Sequence, residues 1–356
     1  MRFAAIGEFD LFDTDAALAQ ERLHGPLSEE FPEYKLRRAR SVHADILILG
    51  SSRVMQFRGA LFDRCVSTSC VYNAGGAGPT MRVAADFFDE VAAAGPPRVL
   101  LIGLDTWYFN GNDEANTHLP TDLTPGGGER VRRSVSFLRQ FVPRLSQDPQ
   151  LRAVVAGLVA APEGFRGARA ILKGEGFRPD GSYSYGAQFL ADVADEAPAE
   201  RSADAVTRVA QSCCRLERFT ATDPQALQEL ERLAGAARRS GTQVIAFTLP
   251  FSDELMDAVA RDEALRSGFA DVDARLTETL QRLGIPFVRL TRPSDAGCRS
   301  SEMLDGFHPS EVCSARILEL LTATDGISAS LASFVDPRVL RARIDARPSD
   351  LVLGLP

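Results

Sequence analysis

A series of short apolar runs separated by helical segments constrains this chain more than any other feature. Ile46–Gly50 reads ILILG, Val71–Gly75 reads VYNAG, Val99–Leu104 reads VLLIGL, Val244–Leu249 reads VIAFTL and Phe287–Leu290 reads FVRL. Runs this short and this continuously apolar suit strands buried on both faces, which is the condition of a parallel sheet. Between them lie 3.6-residue stripes. One helix opens at Pro79 and carries Met81, Ala84, Ala85, Phe88, Val91 and Ala92, closing near Gly95. A second is capped by Asp223-Pro224, carries Leu227, Leu230, Leu233, Ala234 and Ala237, and stops at Gly241. A long helical stretch, broken near Gly268, leads to Gly284, and Ser310 caps a final helix with Val312, Ala315, Ile317, Leu318 and Leu321. Strands alternating with helices predict an α/β domain whose sheet is covered on both faces, with right-handed crossovers.

At 356 residues the chain accommodates one large α/β domain with a sizeable insertion. The reading is an N-terminal extension over 1–40, a domain over 41–325 and a tail over 326–356. The stretch 110–220 is an insertion capping the carboxyl edge of the sheet, with Pro/Gly-rich turns (TPGGGER, FRPDGSYSYG) and amphipathic pieces at Phe137–Leu145 and Leu151–Leu158. The tail alternates apolar pieces with Asp, Arg and Pro, and either packs on the body or reaches a partner.

A net charge of −8 argues against nucleic acid as a partner, because phosphate binding needs concentrated positive charge. No apolar run is long enough to span a bilayer, and the N-terminus lacks the basic flank and apolar core of a secretory signal. The six cysteines have no metal-ligand spacing. Cys65 and Cys70 are close in sequence, and Cys298 and Cys313 bracket the loop considered below; disulfides and buried free thiols are both open readings. Cys213 and Cys214 are adjacent, a geometry that disfavours their pairing with each other. The cysteines point outward and the missing leader inward, which leaves the compartment open with an extracytoplasmic one favoured.

Ligands of open parallel sheets bind beyond the carboxyl ends of the strands. The polar groups there are Gly50-Ser51-Ser52-Arg53, Asn73 to Gly78, Gly103-Leu104-Asp105-Thr106-Trp107, and the late Asp305-Gly306-Phe307-His308. A serine at a strand end needs a base to take its proton, and a histidine three residues after an aspartate supplies one already oriented. Of the four histidines, His308 alone follows an aspartate at that spacing; His24 and His43 read as surface residues, and His118 lies in the insertion. Ser51 competes with Ser52 but points elsewhere by one step of register. Arg53 reads as a surface or supporting residue.

This order of blocks resembles the SGNH (GDSL-like) hydrolase superfamily, in all four of its sequence blocks. The resemblance implies a flavodoxin-like three-layer α/β/α fold with a mainly parallel five-stranded sheet. It makes Ser52 the nucleophile, His308 the base and Asp305 its orienter, with the Gly78 N–H in the oxyanion hole. The GSSR opening and the GLDTW third block look like the branch associated with carbohydrate O-acetylation. That implies an acyl donor or ester as substrate, a polysaccharide acceptor, a membrane-associated partner, and no metal or organic cofactor. One departure stands out: Asp105 occupies the position of the oxyanion-hole asparagine, and an ionised carboxylate accepts but cannot donate hydrogen bonds. Three resolutions are open. Asp105 points away while Thr106, a backbone N–H or an insertion residue donates; or it is protonated; or the site is impaired and the chain is a binding module. Trp107 and Tyr108 read either as a sugar-stacking wall or as core aromatics. A longer-chain lipase or thioesterase, and a flavodoxin-like ligand binder without a triad, are the other readings.

Overall fold

A computed structural model describes residues 22–27, 31–65, 67, 70–118, 123, 132, 135, 139, 143 and 145–355. Most of the expected N-terminal extension, the TPGGGER turn and nearly all of the Phe137–Leu145 piece lie outside the described residues.

Strands β1 (Ile46–Gly50), β2 (Val71–Gly75), β3 (Val99–Leu104), β4 (Gln243–Thr248) and β5 (Phe287–Val288) form one sheet in the order β2-β1-β3-β4-β5. Every neighbouring pair is parallel. The chain is therefore α/β with a parallel five-stranded sheet, as its apolar runs predicted. β5 is shorter than expected, because the chain turns away after Val288 and its last residues bond to β4 through side chains, as in Leu290 N–H to Thr248 Oγ1 (2.7 Å). The pleat sends alternate side chains to two apolar clusters. Leu47, Leu49, Leu100 and Ile102 enter one, while Ile46, Ile48, Val99 and Leu101 enter the other. With both faces covered there is no polar face to encode, so the runs are continuous rather than alternating.

Helices 81–94, 224–240 and 263–283 contribute to the first cluster, and helices 311–323 and 337–345 to the second. The first of these begins two residues later than Pro79, because the Thr80 hydroxyl caps it by accepting from the Val83 N–H. Asp223, Pro224 and Gly241 cap the second as expected. The helical stretch before Gly284 is interrupted at Asp262, not at Gly268. Asp262 ends one helix and caps the next by accepting from the Leu265 N–H, while Gly268 lies inside Glu263–Leu283. A Cβ on Gly268 would sit 2.5 Å from the Phe219 carbonyl oxygen, so this glycine permits close packing rather than a break.

The segment after Thr324 packs on the body. Ile327, Leu331, Phe334, Val335, Leu340 and Ile344 all belong to the second cluster, so the helix capped by Ser310 is not the last. The insertion is more regular than its sequence indicated. Its strands Phe165–Arg166, Glu175–Phe177 and Tyr183–Tyr185 join Leu23–His24 in a second, four-stranded sheet.

The hairpin at 175–185 is stitched to the loop that follows β1. The Tyr183 N–H donates to the Met55 carbonyl (3.0 Å), Gln56 Nε2 donates to the Tyr183 carbonyl (2.9 Å), and the Gly59 N–H donates to Asp180 Oδ2 (2.6 Å). The buried Lys35 ammonium donates to the Asn73 (2.7 Å) and Gly181 carbonyls beneath the Phe177 ring, tying the same hairpin to β2.

Two disulfides are present, Cys65–Cys70 and Cys298–Cys313, while Cys213 and Cys214 are free thiols. Among the described residues no helix is long and apolar enough to cross a membrane.

Candidate active site

β1 is the switch point of the sheet, because its connection runs to β2 on one side while the chain then crosses to β3 on the other. The crevice this leaves is where open α/β sheets place ligands. Directly after β1, Ser51 caps a 3-10 turn, its hydroxyl accepting from the Arg53 N–H (3.2 Å). That cap turns the Ser51 side chain inward and leaves Ser52, the first residue of the turn, pointing out of the sheet.

The structure brings Ser52, His308 and Asp305 together. Ser52 Oγ lies 2.8 Å from His308 Nε2, and His308 Nδ1 lies 2.8 Å from Asp305 Oδ2. A carboxylate can only accept, so Nδ1 carries a proton, and in the neutral ring Nε2 is the acceptor facing the Ser52 hydroxyl. Asp305 is fixed by two further bonds, its Oδ1 accepting from the Phe307 and His308 N–H groups (2.7 Å each). Burial alone would raise this carboxyl. The His308 charge, the ring hydrogen bond and the two backbone donors outweigh it and hold the group at about 2.

The loop that carries the pair is tightly closed. The Leu304 N–H donates to the His308 carbonyl (2.8 Å), the Ser310 N–H donates to the Glu302 carbonyl (3.0 Å), and Cys298–Cys313 bridges its two flanks. Beneath it the fully buried Glu302 carboxylate meets the Arg316 guanidinium (2.8 Å) and Arg347 (3.4 Å), the latter contributed by the last part of the chain.

Arg53 is not a surface residue. Its guanidinium is 1% exposed and stacks 3.9 Å from the Phe251 ring centroid. Nη1 donates to Asp105 Oδ1 (2.7 Å), Nη2 to the Leu249 and Pro250 carbonyls (2.8 and 2.7 Å), and Nε to the Phe307 carbonyl (2.8 Å). One side chain thus ties the ends of β1, β3 and β4 to the residue preceding His308. Sequence reasoning underrated it. The available signal was its position: a cation one residue past a candidate nucleophile, opposite an aspartate at a neighbouring strand end.

Asp105 is fully buried and points to Arg53, which corresponds to the first of the three resolutions offered for it. It is an ion-pair partner and offers no donor to an oxyanion. Gly78 also departs from its expected role. Its N–H donates to the Gly50 carbonyl (3.3 Å) and its own carbonyl accepts from the Tyr108 hydroxyl, so it locks the turn after β2 onto the end of β1. The Gly76 and Ala77 N–H groups are likewise taken, by the Gly50 and Ala74 carbonyls (3.0 Å each). Among the described residues the Ser52 N–H and the Thr106 N–H, each at the head of a 3-10 turn, make no backbone hydrogen bond and are the candidate donors at this spot.

Trp107 is 5% exposed and packs among Phe251, Phe307 and Tyr108, so it is a core aromatic rather than a stacking wall. An aromatic strip does exist, but it comes from the insertion. Tyr183, Tyr185 and Phe189 follow one another with ring centroids 5.0 and 5.1 Å apart, and Phe189 lies at the surface. Tyr185 packs against the cluster of Val193, Leu304 and Leu351, whose Leu304 directly precedes Asp305, and burial together with the Asp305 charge pushes its hydroxyl up. Of the remaining histidines, His24 is buried against Tyr34 rather than exposed, and His118 closes the short helix Glu114–His118. Among the described residues no group of three or more His, Cys, Asp or Glu side chains is placed to hold a metal ion.

No protein-family model matches the chain, and no curated protein matches it at a significant level.

Proposed function

We propose that this chain is a serine-dependent ester hydrolase or O-acyltransferase of the SGNH type, on a flavodoxin-like three-layer α/β/α domain. The observation that carries the reading is the continuous chain of contacts from Ser52 Oγ through both ring nitrogens of His308 to Asp305. Residues 256 apart in sequence meet at hydrogen-bond distance, in an arrangement that suits general-base catalysis when Nδ1 holds the ring proton.

In the mechanism this implies, Nε2 of His308 takes the hydroxyl proton as Ser52 Oγ bonds to the acyl carbonyl carbon. Asp305 holds the ring and stabilises the imidazolium. The Ser52 N–H donates to the developing oxyanion, a contribution of roughly 3–4 kcal/mol for a well-placed donor. The imidazolium then protonates the leaving alkoxide, and the acyl group rests on Ser52. Water, or a sugar hydroxyl deprotonated by the same His308, releases it. A small acyl group, acetyl, follows from the family resemblance. Phe189, the exposed end of the Tyr183–Tyr185–Phe189 strip, supports a sugar as the acceptor, since an accessible aromatic face can stack on a pyranose ring.

A second reading is favoured by the engagement of Gly78 and Asp105, which takes two of the expected oxyanion-hole groups out of play: a non-catalytic carbohydrate-binding or assembly module on the same scaffold. One experiment separates the two. Hydrolysis of p-nitrophenyl acetate, with and without a glycan acceptor, is compared between the intact protein and Ser52→Ala, alongside labelling by a fluorophosphonate. Activity and labelling that vanish in the variant support the enzyme, and acceptor-dependent acetylation selects the transferase. An inert, unlabelled parent protein leaves the binding module.

A further inference from the structure

Cys213 and Cys214 are unpaired in the structure, as their adjacency predicted, yet their sulfurs are not held apart. Their Sγ atoms lie 2.7 Å from each other, closer than non-bonded sulfurs rest. The backbone is shaped for this approach, since Ser212, Cys214 and Arg215 all adopt positive φ (54°, 60° and 86°), a costly run for residues other than glycine. Cys214 is exposed and Cys213 half-buried, so both sulfurs are accessible. The remaining four cysteines are paired in two disulfides, which places the chain where thiols are oxidised.

We infer that Cys213 and Cys214 form a vicinal disulfide, a redox-sensitive clasp in the loop that covers the third strand's end. The reaction consumes one low-molecular-weight disulfide, such as oxidised glutathione. The exposed Cys214 thiolate attacks it and expels one thiolate, and the Cys213 thiolate then attacks Cys214 Sγ and expels the second. Two protons leave, and two electrons pass to the oxidant. Adjacent Cα atoms are about 3.8 Å apart, inside the separation that ordinary disulfides span, so the bridge closes under strain and is reduced before unstrained ones.

The loop is placed to transmit this. Arg215 bonds Asp113 (2.8 Å) and its guanidinium lies 6.0 Å from the Trp107 ring. Asn110 Nδ2 donates to the Glu217 carbonyl (2.7 Å). Trp107 in turn meets Phe307, the neighbour of His308. This inference does not depend on the proposed ester chemistry.

The test is differential alkylation of the intact protein after equilibration with oxidised glutathione, read by mass on the tryptic peptide Val209–Arg215. The expected result is an unlabelled peptide, lighter by two hydrogens. On titration with a dithiol it takes up two labels at about tenfold less reductant than the other two disulfides require. In Cys214→Ser the lone Cys213 is expected to be labelled or glutathionylated without reductant, which shows that the thiol is accessible. Two labels on the unreduced peptide, a mixed disulfide with glutathione on the parent protein, a link to another cysteine, or an unmodified Cys213 in Cys214→Ser would each overturn the inference.

Discussion

Arg53 and Asp105 form an ion pair in which neither side chain reaches solvent, and removing one partner should be far more damaging than removing both. In Arg53→Met the Asp105 carboxylate keeps its burial and loses its only bonded cation. Its Oδ2 makes no hydrogen bond among the described residues, so nothing is in place to take over. Stranding a buried charge costs about 3–5 kcal/mol. With an m-value of about 3 kcal/mol per molar urea, that lowers the unfolding midpoint by about 1–1.7 M. Asp105→Leu removes the acceptor for Nη1 and leaves the guanidinium charge uncompensated among three carbonyls, and should fall in the same range. The double variant Arg53→Met/Asp105→Leu removes both charges and is expected to cost several kcal/mol less than the sum of the two losses, since apolar replacement of a whole buried pair is often near neutral. Activity should not recover with stability. Arg53 Nε holds the Phe307 carbonyl beside His308, and a displacement of about 1 Å in the base can cost on the order of 100-fold in rate. Urea denaturation and p-nitrophenyl acetate hydrolysis on the four proteins provide both readouts. Single variants within about 1 kcal/mol of the parent, or losses that simply add, would refute the argument.

Three other outcomes are expected. Asp305→Asn should leave the fold intact and lower kcat on the order of 10⁴-fold by presenting the wrong tautomer to Ser52, measured against Ser52→Ala as the floor. Because the Asp305 carboxyl is held at about 2 in the folded protein, below its unfolded value, its stabilising contribution is complete above the ordinary carboxylate range and is lost as pH falls toward 2. The stability gap between parent and Asp305→Asn, followed by thermal melts, should therefore be flat near neutrality and close only under acid. Replacing both Cys298 and Cys313 by alanine opens a 15-residue loop and should cost about 3 kcal/mol, with calorimetry under non-reducing conditions as the check.

The strands and the three polar side chains of the candidate site were legible because each depends on local signals. Continuous aliphatic runs mark buried strands, Asp223-Pro224 and Gly241 mark helix ends, and Asp305 and His308 lie within one loop. What escaped the sequence depends on what lies opposite a residue in space. Gly268 looks like a helix break until Phe219 is seen against it. Gly78 is committed to the Gly50 carbonyl by the turn it closes, which no spacing reveals. Arg53 reads from sequence as either a surface or a supporting residue, and only the convergence of three strand ends, which supplies its acceptors, decides for the second. The residues after Thr324 alternate apolar with charged positions, which leaves packing on the body and reaching a partner both open in sequence, and the structure decides for packing, with Leu340 and Ile344 fully buried under the second face of the sheet.

The ion pairing beneath the His308 loop also bears on how the protein is made. Ser52 leaves the ribosome well before His308, and Arg347, which helps neutralise Glu302 under that loop, follows both. The carboxyl end of β1 can assemble while synthesis continues, but the base cannot be firmly seated until Arg347 has emerged. A nascent chain would therefore carry an unarmed serine, and competence to react would arrive as one late event rather than grow with length.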